Sequence, residues 1–270
     1  MAAAGERLAS SHWIALVVVV LAACATPTER IHERAATLGF ERINLTGAPF
    51  EHVAFAAGTA RGSTTLHVYV EHDGTPWIEP TRFADDPTPR TPVALELMAR
   101  DTGPRLLLGR PCYFEPQNEP GCTPLMWTHR RYSPDVVRSM VAALRAFLKT
   151  RPYERVVLIG YSGGGTLAWL MAADVPETVE VVTLAANLDV DYWAKLHGYS
   201  ALVGSLNPAL QTALPQAVTQ IHYAGGRDDN VPPAVVTSFA RQHPAARVVV
   251  IDEFDHRCCW VERWPQLLDK

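Results

Sequence analysis

The chain has 270 residues, 48% of them hydrophobic and 19% charged, which is enough to bury the core of one large domain. Its formal net charge is −4 and it contains no long run of lysine or arginine, so nucleic acid is not an expected partner. Neither an internal repeat nor a low-complexity segment divides the sequence.

The first 24 residues have the pattern of a secretion signal. Arg7 precedes an apolar run at residues 13–20, and Leu-Ala-Ala leads directly to Cys24. This ending resembles a bacterial lipobox, in which the cysteine becomes the first mature residue and carries lipid. Ala25 follows it, and not the aspartate associated with retention in the inner membrane. We therefore expect export and a lipid anchor at Cys24 in the outer membrane. The alternatives are a plain membrane anchor and an uncleaved signal with a coincidental cysteine.

The rest of the chain is predicted to hold a short lead and one domain. Residues 25–49 are expected to be a tether and entry segment, and residues 50–270 to form the domain. Apolar or alternating runs predict strands at 50–57, 65–71 and 105–109, and helices at 93–100 and 133–149. The second helix begins with Ser-Pro-Asp, which supplies an N-cap serine and a proline at the first helical position.

A glycine-rich turn at residues 160–164, Gly-Tyr-Ser-Gly-Gly, follows a buried strand predicted at 155–159. Helical composition resumes at residues 166–172. A serine on a strand-to-helix turn between glycines is typical of a nucleophile elbow, where only small neighbours fit. The amide end of the following helix favours negative charge at the same place. Ser162 is therefore the candidate nucleophile.

The second half of the chain continues the alternation of strands and helices. Strands are predicted at 179–185, 219–226 and 247–251, and a helix at 233–242. The strand at 179–185 runs into residues 187–191, and the polar and aromatic segment that follows, up to about Pro215, is expected to form a small cap. This spacing predicts a mostly parallel central sheet with helices on both faces, and it brings the carboxyl ends of the strands to one edge.

Three loops at that edge carry the groups that acyl transfer needs. Ser162 is a weak nucleophile unless a base removes its proton, and His256 stands just beyond the last strand. Asp228 follows the preceding strand, where a carboxylate can hold the tautomer of that histidine. Three other aspartates are alternative acids: Asp229, Asp189 and Asp191.

In this order, the elbow, the Asp-x-x-Val-Pro turn at 228–232 and the late histidine resemble the α/β-hydrolase family, in its serine esterase and lipase branch. The glycine that usually precedes the histidine is Asp255 here. The resemblance spans residues 50–270 and implies the α/β-hydrolase fold, with Asp228 as the acid. It implies neither a metal nor an organic cofactor.

The resemblance also implies an oxyanion hole. One donor is the backbone N–H of Gly163, and the second comes from the loop after the strand at 65–71. The usual His-Gly pair is altered here to Glu-His-Asp-Gly at residues 71–74, where His72 is the first candidate and Asp73 the second. Four aromatic residues are predicted either to line the pocket or to lie in the core: Tyr161, Trp169, Tyr192 and Trp193.

Export to an oxidising compartment affects the prediction for the other cysteines. Cys112 and Cys122 bracket a loop with two prolines and a glycine, and we expect a disulfide between them. Cys258 and Cys259 are adjacent, and either a vicinal disulfide or two buried thiols fits the sequence. Zinc is disfavoured, because no second pair with ligand spacing accompanies them.

The leading hypothesis is a lipid-anchored serine hydrolase that cleaves a small-molecule or lipid carboxylic ester through an acyl-enzyme. Thioesterases and amidases use the same three residues. The alternative from a different class is a catalytically inactive envelope protein that uses the hydrolase fold for binding. A redox protein built on Cys258 and Cys259 is disfavoured, because the C-x-x-C spacing is absent.

Overall fold

A computed structural model of the chain describes residues 25–58, 63–115 and 119–268. Cys24 and the predicted signal therefore lie outside the described residues. None of the helices in these ranges combines the length and the apolar character that a membrane crossing requires.

The main sheet has eight strands. They are β1 (Glu41–Thr46), β2 (Glu51–Ala57), β3 (Thr65–Val70), β6 (Arg105–Leu108), β7 (Arg155–Tyr161), β8 (Thr178–Leu184), β9 (Thr219–Gly225) and β10 (Arg247–Ile251). Their spatial order is β1-β2-β6-β3-β7-β8-β9-β10. The pairs β1–β2 and β2–β6 are antiparallel, and every other pair in the sheet is parallel. The predicted mostly parallel sheet is confirmed.

Helices cover the sheet and bury its apolar side chains. They are α1 (Pro27–Thr37), α2 (Val93–Ala99), α3 (Pro134–Thr150), α4 (Gly163–Ala172), α5 (Val190–His197), α6 (Pro233–Gln242) and α7 (Trp260–Arg263). Helices α3 and α4 pack together on one face, and α2 and α7 pack together on the other. Both α2 and α4 contact the central strands β3 and β7. Strand β7, which ends at the candidate site, therefore packs against helices on both faces of the sheet.

The lead segment differs from its expectation as a tether, because residues 25–49 contain α1 and β1. A capping box starts the helix: the Thr26 hydroxyl accepts the N–H of Glu29, and the Glu29 carboxylate accepts the N–H of Thr26. Ile31 and Ala35, one helical turn apart, are buried. These apolar residues pack α1 against the domain. Strand β1 then pairs with β2, so the sheet begins before residue 50.

A two-stranded hairpin, which the sequence pattern did not predict, projects after β3. It consists of β4 (Trp77–Glu79) and β5 (Arg82–Phe83), and it forms no pairs with the main sheet. Two backbone hydrogen bonds close its base, from Thr75 to Pro87 and from Ala84 to Pro76, each at 3.0 Å.

The predicted cap begins with α5 beside the acid-bearing turn. The indole N–H of Trp193 donates to the carbonyl oxygen of Asn230 at 2.7 Å, and Nε2 of His197 donates to the same oxygen at 2.8 Å. These two bonds tie the cap to the loop that follows β9.

Candidate active site

Ser162 lies on the turn between β7 and α4, in the left-handed region with φ of 52°. A Cβ on Gly160 would lie 2.3 Å from the carbonyl oxygen of Gly164, and a Cβ on Gly164 would lie 2.1 Å from that of Val70. Neither position has room for a side chain. The strand, the tight turn and the helix have the geometry predicted for a nucleophile elbow.

His256 is paired with Asp228. Its Nδ1 lies 2.8 Å from Oδ2 of Asp228 and donates to it. The other carboxylate oxygen, Oδ1, accepts the backbone N–H groups of Asn230 at 2.9 Å and Val231 at 2.7 Å. The Asp228 side chain is fully buried, so the turn wraps the carboxylate and holds it. A proton on Nδ1 leaves Nε2 of His256 as the basic nitrogen.

The three alternative acids have no bond to His256. Asp229 is exposed and lines a cavity beside His256 without bonding to the imidazole. Asp189 caps α5 and accepts from the side chain of Asn207 at 3.0 Å, and Asp191 accepts from Asn207 at 2.9 Å.

Tyr161 connects the elbow to the histidine loop. Its hydroxyl donates to the carbonyl oxygen of His256 at 2.5 Å, and the two rings lie 5.5 Å apart. Burial raises the pKa of Tyr161, which keeps the hydroxyl protonated as a donor. Among the described residues, neither Oγ of Ser162 nor Nε2 of His256 has a hydrogen-bond partner. The structure therefore brings the two loops together through Tyr161 and records no bond between serine and histidine.

The predicted oxyanion donors differ in their availability. The N–H of Gly163 is in the first turn of α4, where no intrahelical acceptor exists. The N–H of His72 donates to Oε2 of Glu71 at 3.2 Å, so it is already engaged. In the described part of the chain the N–H of Asp73 has no acceptor. Asp73, the second candidate from the sequence, is therefore the residue whose backbone N–H is available as a donor.

The His72 ring has a structural role. Its Nε2 donates to the carbonyl oxygen of Thr91 and its Nδ1 accepts the N–H of Gly74, both at 3.0 Å. Burial lowers the pKa of His72 to about 4, so the ring is neutral at pH 7. It holds the loop that carries Asp73.

Glu71 is a buried carboxyl that the sequence did not mark as special. It is 1% exposed, and Oε1 accepts the N–H of Leu95 at 3.0 Å in the first turn of α2. Burial raises the pKa of Glu71 to about 7, against the opposing effect of these backbone donors.

Asp73 lies at the centre of a largely buried ionic cluster against the elbow, in which its own side chain is 20% exposed and that of Arg110 is 2% exposed. Its carboxylate is 2.7 Å from Nη1 of Arg110 and 2.9 Å from Nη1 of Arg131, and it accepts the Tyr132 hydroxyl at 2.6 Å. Burial alone would raise the pKa of the Asp73 carboxyl, but the two guanidinium groups and the hydroxyl hold it well below its usual range. Arg110 also donates to the carbonyl oxygen of Gly163 at 3.2 Å.

This ionic cluster escaped sequence reasoning because its members come from three separate loops. Only Asp73 carried a signal, as the acidic residue in the altered oxyanion loop. Two arginines and one aspartate leave an excess positive charge beside the elbow, which favours a developing oxyanion.

None of the four aromatic residues predicted as pocket walls or core lines the cavity beside His256. Trp169 is buried, donates to the side chain of Gln220 at 2.9 Å and packs against Phe239, so it belongs to the core. A polar cavity of about 500 Å³ lies beside the imidazole. It is lined by Arg227, Asp229, Asn230, Asp255, His256 and Arg257.

The four cysteines among the described residues form two bonded pairs. Cys112 and Cys122 are joined, with their Cα atoms 5.5 Å apart, and Cys258 is bonded to Cys259 directly after the histidine loop. Within residues 25–58, 63–115 and 119–268, no group of three or more His, Cys, Asp or Glu side chains is arranged to hold a metal ion.

Solved structures similar to this one include an esterase, an acylaminoacyl peptidase and a membrane phospholipase A. The Pyrococcus furiosus esterase is 15% identical with a TM-score of 0.58, over 92% of this chain and 94% of that chain. The Pyrococcus horikoshii acylaminoacyl peptidase is 12% identical with a TM-score of 0.59, over 85% of this chain and 40% of the peptidase. A membrane phospholipase A, described as a bacterial virulence factor, is 13% identical with a TM-score of 0.53, over 90% of each chain.

These likenesses and the sheet topology define an α/β-hydrolase fold. The chain spans about two fifths of the length of the peptidase. No family model matches the sequence, and no curated protein matches it either.

Proposed function

We propose that this protein is a serine hydrolase that cleaves carboxylic esters through an acyl-enzyme. Ser162 is the nucleophile, His256 the general base and acid, and Asp228 the carboxylate that orients the imidazole. The observation that carries the proposal is the 2.8 Å pair between Nδ1 of His256 and Oδ2 of Asp228, on a loop bonded to the residue before Ser162.

The reaction follows from the free nitrogen of this pair. Nε2 of His256 takes the proton of the Ser162 hydroxyl as Oγ attacks the ester carbonyl carbon. The tetrahedral intermediate collapses when the same nitrogen returns the proton to the departing alkoxide, which leaves as an alcohol. Water then attacks the acyl-enzyme with His256 as base, and the carboxylic acid is released. Asp228 stabilises the imidazolium in both halves of the reaction.

We assign the oxyanion hole to the N–H groups of Gly163 and Asp73. The free N–H of Asp73 supports this choice over His72, whose N–H is bonded to Glu71. The carboxylate of Asp73 does not oppose the oxyanion, because Arg110 and Arg131 neutralise it.

The proposed substrate is a small-molecule or lipid ester. Similar structures described as an esterase and a membrane phospholipase A support this class. We further propose that the protein is exported and anchored by lipid at Cys24 in the outer membrane, from the lipobox pattern alone.

A fluorophosphonate probe tests the nucleophile directly. The wild-type chain should be labelled, and Ser162→Ala should not be labelled although its circular dichroism is unchanged. A series of p-nitrophenyl esters of increasing chain length then separates an esterase from a lipase.

One observation favours the inactive binding protein as the second candidate, namely that Ser162 and His256 share no hydrogen bond. A folded wild-type chain that neither reacts with the probe nor hydrolyses any ester of the series would support that candidate and refute ours.

A further inference from the structure

The hairpin of β4 and β5 carries three large apolar side chains. Trp77 and Phe83 are cross-strand partners with ring centroids 4.4 Å apart, and Ile78 follows Trp77 at an irregularity in the strand pairing. Trp77 is 36% exposed, Ile78 36% and Phe83 38%. A two-stranded hairpin in water usually buries one apolar face against its domain. Each of these side chains thus keeps only about a third of its surface exposed, and Phe83 lines an open cavity together with Pro124 and Trp127.

The base of the hairpin holds the start of α1. The N–H of Thr28 donates to Oδ2 of Asp86 at 2.9 Å, and the hydroxyls of Thr28 and Thr88 lie 3.0 Å apart. Asp86 follows β5 by three residues. The chain therefore enters the domain beside the hairpin.

The distances match an anchor at the start of the mature chain. Three residues lie between Cys24 and Thr28, and because α1 begins at Pro27 this stretch spans less than the ~14 Å that a fully extended chain would reach. The hairpin strand from Thr75 to its tip at Pro80 extends about 17 Å from its base. A lipid on Cys24 and the tip of the hairpin can thus reach one membrane surface.

The hairpin also adjoins the candidate active site. Its base begins at Gly74, next to Asp73, whose carboxylate packs against Gly163 on the elbow. The charged residues at the tip, Glu79 and Arg82, pair at 3.0 Å, so the hairpin presents no net charge to lipid headgroups. Exposed tryptophan is suited to the membrane–water interface, because its ring is apolar and its N–H is polar.

We propose that the β4–β5 hairpin docks on the lipid bilayer that anchors the chain, with Trp77, Ile78 and Phe83 inserted at the interface. Because the base of the hairpin adjoins Asp73, docking brings the candidate active site close to the membrane, where lipid esters are available. The proposal rests on the proposed anchor at Cys24, and it is independent of whether Ser162 is catalytic.

Quenching of tryptophan fluorescence by brominated lipids tests this docking. The full chain carrying Ser162→Ala, which leaves the vesicles intact, is bound to phosphatidylethanolamine–phosphatidylglycerol vesicles with brominated acyl chains. The contribution of Trp77 is the difference in fluorescence between the parent chain and Trp77→Phe. The brominated lipids should quench this contribution by at least about twofold, because an inserted indole lies near the bromine atoms. The contribution of Trp193, obtained in the same way from Trp193→Phe, serves as the control and should not be quenched by the brominated lipids.

A second pair of variants keeps Trp77 as the probe. Ile78→Ser/Phe83→Ser should reduce the quenching of Trp77. Val203→Ser/Leu210→Ser should leave it unchanged, although Val203 is 75% exposed and Leu210 73%. Equal quenching of Trp77 and Trp193, or no effect of the hairpin pair, would overturn the proposal. Because no hydrolysis is measured, that result would leave the proposed function standing.

Discussion

The hydroxyl of Tyr161 donates a hydrogen bond of 2.5 Å to the carbonyl oxygen of His256. Tyr161 immediately precedes Ser162, so the bond ties the nucleophile turn to the loop that carries the imidazole. The loop is also held from the other side, since the indole N–H of Trp260 donates to the carbonyl oxygens of Asp255 and His256. These bonds set where Nε2 stands relative to Oγ.

Tyr161→Phe should lower kcat by about tenfold with KM nearly unchanged, because it frees the histidine loop without touching substrate. Tyr153→Phe is the matched control, since the Tyr153 hydroxyl has no partner among the described residues. Steady-state kinetics on one p-nitrophenyl ester measures both variants. A change in KM alone would show that Tyr161 contacts substrate and does not position the histidine.

Asp228→Asn should lower kcat/KM by about 10³–10⁴-fold, and Asp229→Asn by no more than a few-fold. The backbone N–H groups of Asn230 and Val231 would hold the amide oxygen of the new side chain, so its NH₂ group would face Nδ1 of His256. The imidazole would then carry its proton on Nε2 and could not accept one from Ser162. Similar losses in the two variants would contradict the assignment of the acid.

Gly164→Ala should destabilise the protein by at least about 3 kcal/mol, because its Cβ would meet two backbone carbonyl oxygens. Those oxygens belong to Val70 at 2.1 Å and Glu71 at 2.5 Å. Gly103→Ala is the control, since its Cβ would meet nothing within 4 Å. Urea denaturation of the two variants gives the comparison, and an equal effect would show that the elbow is not tightly packed.

Asp73→Ala should cost about 3–5 kcal/mol of stability, because it leaves Arg110 and Arg131 without a buried counter-charge. The exposed ion pair between Arg34 and Glu96 provides the control, and Glu96→Ala should cost less than about 1 kcal/mol. The free energy of unfolding in urea distinguishes the two. A loss for Asp73→Ala no larger than that of the control would mean that the arginines remain solvated.

The stability of the wild type relative to Glu71→Gln should fall as the pH rises. The folded state raises the pKa of Glu71 from 4.5 to about 7, so the contribution of this carboxyl is complete below pH 4.5 and is lost through about pH 7. The difference in unfolding free energy between the two proteins should change by about 3 kcal/mol over that range. Buried histidines titrate in the same window, but they are present in both proteins. If the unfolding free energies of the two proteins changed with pH in parallel, the folded state would not raise the pKa of Glu71.

Much of the fold follows from short-range patterns. Strand β7, the glycines of the elbow and helix α4 are decided by consecutive residues, since a buried β-branched run, a turn without space for Cβ and a helical run each act locally. The alternation of such units is enough to predict a parallel sheet. The two lead elements were missed because the apolar stripe of α1 has only two buried residues, Ile31 and Ala35.

The sequence by itself determined the α/β alternation, the serine on its elbow and the chain order of serine, aspartate and histidine. Only the tertiary structure decided that Asp228 bonds to His256, that Arg110 and Arg131 neutralise Asp73, and that the apolar side chains of the hairpin stay about one third exposed. The reason is physical: backbone sterics and periodicity act over a few neighbouring residues. Burial and ion pairing depend on which distant segments the packed core brings together.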